Sequence, residues 1–227
     1  MATQEHLLDL PSVGDLNPAP PGKMTEEEFV TWCDEDTRAE WVDGEVVVIP
    51  PLSVDHGDLR TWLLAVLGIF VEETDLGEVL PDVHVRLATQ RTRRVPDIWF
   101  ISNQRRDLLR HAHLEGPPDL IIEIVSPDSE SRDWREKYLE YQAAGVREYW
   151  VIDPMSQHAE AYALPASGSA ETTATVASEY RRLEEKEGII ESTVLPGFRL
   201  RTAWLWPETR PKVLAALREL GLLGPST

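Results

Sequence analysis

The sequence predicts an α/β fold in which helices flank a central mixed sheet, and three observations point to it. Two apolar runs, Val95-Pro96-Asp97-Ile98-Trp99-Phe100-Ile101 and Leu120-Ile121-Ile122-Glu123-Ile124-Val125, have the length and residue types of buried strands. Leu59, Trp62, Leu63, Val66, Leu67 and Phe70 recur at helical spacing and give one helix an apolar face. A third apolar run, Glu148–Ile152, follows a helical stretch that Gly145 can close in the left-handed conformation. The expected central order is helix, strand, strand, strand, helix, strand.

The elements follow in chain order. Residues 1–22 hold four prolines without periodicity and read as a flexible tail. Thr25-Glu26-Glu27-Glu28 has the form of a capping box and opens a short helix to about Cys33. Asp43-Gly44 between Glu40-Trp41-Val42 and Glu45-Val46-Val47-Val48-Ile49 is a two-residue hairpin signal. Pro50-Pro51 ends that hairpin, and Ser53 can cap the long helix that follows. Strands are expected near 78–88 and 94–101, joined by an arginine-rich turn at 89–93. A helical segment from Asp107 to about His113 should precede the Glu123 strand, and Ser129–Ala144 should be helical. Asp153-Pro154 ends the Glu148 strand as a turn. Segments 158–164 and 178–200 read as a β-meander around a polar loop at 165–178, and a last helix covers about 211–222. The domain plan is a tail at 1–22, one domain at 23–206 and a C-terminal helix at 207–227.

Bulk properties bound the class. A chain of 227 residues with 42% hydrophobic residues and eight tryptophans is long enough for one substantial core; at this length about 70% of the unfolded surface is buried. One cysteine, Cys33, leaves no intrachain disulfide and suits a reducing cytoplasm. No signal peptide is visible in Met1–Leu10, and the longest apolar stretch, Trp62–Val71, is too short to span a bilayer. A cytoplasmic protein with no membrane partner is expected.

A formal charge of −18 weighs against nucleic acid, because phosphate contacts dominate that kind of affinity. The charge is uneven, however. Seven arginines (86, 91, 93, 94, 105, 106 and 110) lie between Arg86 and Arg110 against two acids, Asp97 and Asp107.

Asp97 and Glu123 carry the chemistry. A carboxylate inside a buried strand is costly unless its charge is compensated. Two of them on neighbouring strands can share a divalent cation, and a lysine nearby can orient the water that attacks. Lys137, on the following helix, is that lysine. Its bland alternative is an exposed pair with Asp133, four residues earlier. Asp82, which also follows a proline, is a weaker third acid. His111-x-His113 has no further cysteine or histidine near it to complete a zinc site. Signatures for nucleotide-binding loops, serine hydrolases and redox dithiols are missing.

At these residues the chain resembles the PD-(D/E)XK nuclease superfamily, and within it the Uma-type family of restriction endonuclease-like proteins. The resemblance runs from about Thr25 to Trp206. It is carried by Glu40–Glu45, His56, Pro96-Asp97, Pro117–Pro127, Lys137 and Ala144–Pro154. The superfamily pattern places lysine two residues after the glutamate, where this chain has Val125; the related family moves the lysine to the next helix, here Lys137. The resemblance implies a restriction endonuclease-like fold with an added N-terminal hairpin and C-terminal meander. It implies a Mg²⁺- or Mn²⁺-dependent endonuclease acting on DNA. Asp97, Glu123 and the Ile124 carbonyl would hold the metal, and Lys137 the attacking water. Glu45 and His56 would approach the site, and Arg91, Arg93, Arg94, Arg105 and Arg106 would grip the DNA backbone. A homodimer joined through tryptophan-rich hairpins is the candidate assembly. The alternative is a catalytically inactive nuclease-fold module that binds protein or nucleic acid.

Overall fold

The structure, a computed structural model, describes residues 19–34, 37–126, 132–165 and 179–223. Most of the proline-rich tail, most of the polar loop at 165–178 and the start of the helix expected from Ser129 lie outside the described residues. The chain forms two compact units, Met1–Pro50 and Pro51–Thr227.

The first unit contains α1 (Glu26–Trp32), β1 (Ala39–Val42) and β2 (Glu45–Val48). Both halves of the capping box form at α1: the Thr25 N–H donates to Glu28 Oε2 at 2.7 Å, and the Glu28 N–H donates to Thr25 Oγ1 at 3.2 Å. β1 and β2 pair across Asp43-Gly44, whose φ angles of 47° and 95° are those of a tight primed turn. Phe29, Ala39 and Trp41 form its small core, and Trp41 Nε1 donates to the Met24 carbonyl.

The second unit contains α2 (Val54–Glu73), β3 (Gly77–Leu80), β4 (His84–Leu87), β5 (Thr92–Arg94), β6 (Ile98–Ser102), β7 (His113–Glu115) and β8 (Leu120–Ile124). It continues through α3 (Lys137–Ala144), β9 (Glu148–Asp153), β10 (His158–Ala163), β11 (Arg181–Arg182), β12 (Ile189–Glu191), β13 (Arg199–Arg201) and α4 (Val213–Glu219). Six strands form a mixed sheet in the order β11-β10-β9-β8-β6-β3, in which β8 and β9 are parallel. β5, β4 and β7 lie side by side in that order, and β12 pairs with β13.

The six-stranded sheet separates two apolar layers. Residues of α2 and α4 pack with Ile98, Phe100, Ile122, Ile124, Trp150 and Ile152 on one face. Tyr141 of α3 packs with Trp99, Ile101, Ile121, Val125, Tyr149 and Val151 on the other. Alternation along each strand puts successive side chains in opposite layers, and these strands are covered on both faces, which explains their nearly unbroken apolar sequence. Five of the eight tryptophans (41, 62, 99, 150 and 204) are buried in cores. Among the described residues no helix is long and apolar enough to cross a membrane.

The two long strands expected at 78–88 and 94–101 are each broken in two. β3 pairs with β6 and β4 with β5 in one continuous register, Gly77↔Ser102 through Leu87↔Thr92, so the four form a single ribbon. The ribbon leaves the main sheet just past the Leu80↔Trp99 pair, where Pro81 and Asp82 come opposite Ile98 and Asp97 in that register. Proline has no N–H for the ladder, and Asp82 adopts a left-handed φ of 55°. The helical segment expected at 107–113 lies earlier, as a 3₁₀ turn at Asn103–Leu108, because His113–Glu115 is taken into β7 alongside β4.

Candidate active site

The break in the ribbon places the first acid. Ile98 pairs with Ile122 and Phe100 with Leu120, so one further step sets Asp97 opposite Glu123. Both face the α3 layer. Asp97 Oδ2 accepts the Ile124 N–H at 2.8 Å, and Asp97 Oδ1 lies 2.9 Å from His56 Nε2. His56 stands in the first turn of α2, where the Ser53 side chain accepts its backbone N–H.

Glu123 is held from α3. Lys137 Nζ is 2.9 Å from Glu123 Oε1, and Tyr141 donates its hydroxyl to the same oxygen at 2.7 Å. Lys137 Nζ is also 3.0 Å from Asp133 Oδ1. Asp133 and Lys137 are therefore not the exposed pair their spacing suggested: they are 1% and 7% accessible. Asp133 sits in a π turn, Arg132–Glu136, that leads into α3. Such turns widen the helix by one residue per turn and recur at functional sites. Tyr149 of β9 donates its hydroxyl to the Asp133 carbonyl at 2.7 Å. Burial pushes the Tyr149 hydroxyl well above its ordinary pKa, and the negative charge of Glu123, Asp133 and Asp97, with Tyr180, pushes it further. It therefore stays protonated and remains a donor.

Asp97, Glu123, Lys137 and His56 are thus brought together, and Asp133, Tyr141 and Tyr149 join them. Sequence reasoning missed Asp133. The available signal was its place in the series 133, 137, 141, one helix face that meets Glu123 at two points. Glu45 lies on β2 of the first unit, exposed, with Oε1 3.8 Å from Lys23 Nζ. Asp82 is bound by Arg60 of α2 at 2.9 and 2.5 Å.

The arginines separate. Arg94 is interior, only 2% accessible, and forms a forked pair with Glu140 of α3 at 3.0 and 2.6 Å. Arg105 binds Asp119 Oδ1 at 2.9 Å and the Pro117 carbonyl at 2.7 Å. Arg106 pairs with Glu78. Arg91, at a left-handed φ of 52°, is exposed at the ribbon tip, and Arg93 is half-buried beside it. Arg91, Arg106 and Arg110 are the exposed members of the cluster, and of these Arg91 stands at the ribbon tip.

Among the described residues no three His, Cys, Asp or Glu side chains stand close enough to enclose a metal by themselves. The charge of the site still suits a cation. Asp97, Glu123 and Asp133 are all buried, with Lys137 beside Glu123 and Asp133 and His56 beside Asp97. Buried carboxylates need compensating charge or hydrogen bonds, and a bound cation is one source of it. Magnesium is commonly held by one or two carboxylates, its remaining positions filled by water and substrate phosphate. Asp97 and Glu123 fit that use.

A family model described as "Uma2: Putative restriction endonuclease" matches residues 26–203. The chain is also similar to a crystal structure from Anabaena variabilis ATCC 29413, described as "a putative nuclease belonging to DUF820". The identity is 19%, the TM-score 0.64, and the match covers 80% of this chain and 97% of that one. At that identity the likeness establishes a shared fold. Comparison with curated proteins gives no match.

Proposed function

Because the chain belongs to the Uma2 family, we propose that it is a divalent-metal-dependent endonuclease that hydrolyses phosphodiester bonds in DNA. A general nuclease function rests on the family and the fold together. The finer reading rests on one observation: Asp97 and Glu123, buried and opposed across β6 and β8, with the Lys137 ammonium 2.9 Å from Glu123.

In this reading Asp97 and Glu123, with the Ile124 carbonyl, would hold Mg²⁺ or Mn²⁺. When bound, the cation stabilises charge developing on the phosphate oxygens. Asp97 is fixed for that task, because His56 holds one oxygen and the Ile124 N–H the other. Tyr141 fixes Glu123 in the same way. Lys137 holds the attacking water in line with the scissile bond and offsets charge on the nucleophile. Arg91 and Arg93 contact the DNA backbone from the ribbon tip.

Cleavage of plasmid, linear duplex and single-stranded DNA, with Mg²⁺, with Mn²⁺ and with EDTA, tests the proposal. Cleavage that needs metal and stops with EDTA is expected. A folded protein that neither cleaves nor is stabilised by Mn²⁺ would instead be a binding module on a nuclease fold.

A further inference from the structure

We propose that Asp133 is the positioning residue that aims Lys137 at Glu123, an assignment that rests on the nuclease reading above. The residue two places after Glu123 is Val125, buried in the α3 layer. An ammonium cannot reach the site from β8 itself, so it comes from α3. A lysine side chain is long and freely rotatable, and a single pair with Glu123 leaves its head able to swing. Asp133 supplies a second fixed point, with Oδ1 3.0 Å from Nζ and its own backbone carbonyl tied to Tyr149. The tie runs from β9 through Tyr149 and Asp133 to Lys137, and from there to Glu123 on β8. β8 and β9 are parallel neighbours, with Glu123 opposite Val151, so one rigid strand pair sets both ends of it.

Asp133, in the π turn that leads into α3, lies four residues before Lys137 and eight before Tyr141, and all three side chains are buried at the site. An aspartate there without a task would leave a third negative charge beside Asp97 and Glu123. Its pairing with the lysine gives that charge a purpose: the ammonium is held between two carboxylates instead of collapsing onto one.

The test has three arms. The chain has four lysines, at 23, 137, 186 and 212, and reductive methylation with formaldehyde and borohydride reads each by mass spectrometry without DNA or metal. Asp133→Asn should raise Lys137 methylation severalfold and leave the other three unchanged. With Mn²⁺ and plasmid DNA, it should lower kcat by about 10- to 100-fold, the usual effect of losing a supporting residue behind a site. Mn²⁺ affinity, measured by calorimetry, should be unchanged, since Asp97 and Glu123 are intact. In a Lys137→Met background, Asp133→Asn should cost nothing more. If Asp133→Asn does not fold, Asp133→Glu, which keeps the charge but displaces it, is read in the same arms. Unchanged Lys137 methylation, or a kcat loss that multiplies with that of Lys137→Met, would overturn the assignment. Loss of cleavage in the wild type would overturn the nuclease reading, while the methylation arm would still decide whether Asp133 holds the ammonium.

Discussion

Asp97 Oδ2 accepts the backbone N–H of Ile124 at 2.8 Å, so the carboxylate that ends the ribbon break is fastened to the residue next to Glu123. The bond sets the distance between two acids on different strands without relying on either side chain alone. It also fixes the peptide of Ile124, whose carbonyl is the third ligand in the proposed function. Geometry of this kind is preorganised, and the consequences can be measured.

Glu123→Gln keeps the shape and the acceptor for Tyr141 while removing a charge. Cleavage should fall by at least about 100-fold, beyond the usual effect of a supporting residue, with the melting temperature and far-ultraviolet spectrum near those of the wild type. Wild-type rates in this variant would make Glu123 a structural residue and end the metal mechanism.

Arg94→Ala should act on stability and not on DNA. The Arg94–Glu140 pair is interior, and Thr92 also donates to Glu140 Oε1 at 2.7 Å, so the loss leaves a buried carboxylate short of its partner. Breaking such a pair costs about 3–5 kcal/mol. Urea unfolding measures this, and a loss under 1 kcal/mol would show that the pair is replaceable.

Arg91 and Arg93 are the arginines proposed to meet DNA. Replacing both with alanine should weaken binding and reduce the log–log salt slope by up to about 1.8, or about 0.9 for each phosphate contact. Mn²⁺ affinity should not change. An unaltered slope would remove the ribbon tip from the DNA interface.

Asp119 supplies a pH-dependent contribution to stability. Burial pushes its carboxyl up, but the Ser102 N–H and Arg105 outweigh burial and hold it below the ordinary carboxylate range. The contribution of a depressed carboxyl is complete above its unfolded pKa, about 3.9, and disappears as pH falls through the lower folded value. Asp119→Asn should therefore destabilise the protein at pH 7, and its difference from the wild type should shrink as pH drops below about 4. Urea titrations at pH 7, 5 and 3 measure both effects. A difference that grows on acidification would contradict the assignment.

Much of this protein was decided locally and could be read from its sequence. The capping box at Thr25 and Glu28, the Asp43-Gly44 turn, the apolar face of α2 and the left-handed Gly145 that ends α3 all depend on residues within a few positions of one another. Asp97 and Glu123 were legible for a related reason, since a charge in an apolar strand stands out against its neighbours. The Glu148-Tyr149-Trp150 string was visible only as a pattern. The structure gives it content: Glu148 accepts from Trp150 Nε1 and from Thr193, and Tyr149 holds the π turn.

Tertiary structure alone decided which charges meet. His56 reaches Asp97 across 41 residues, Arg94 reaches Glu140 across 46, and Tyr149 of β9 reaches the carbonyl of the buried Asp133 across 16. The same packing split the expected strands into one bent ribbon, which put Asp97 immediately before β6, an interior strand, and Arg91 at the ribbon tip. Local propensity depends on near neighbours along the chain. The partner of a buried charge depends on which groups share its low-dielectric surroundings after the layers have closed, and no local pattern specifies that.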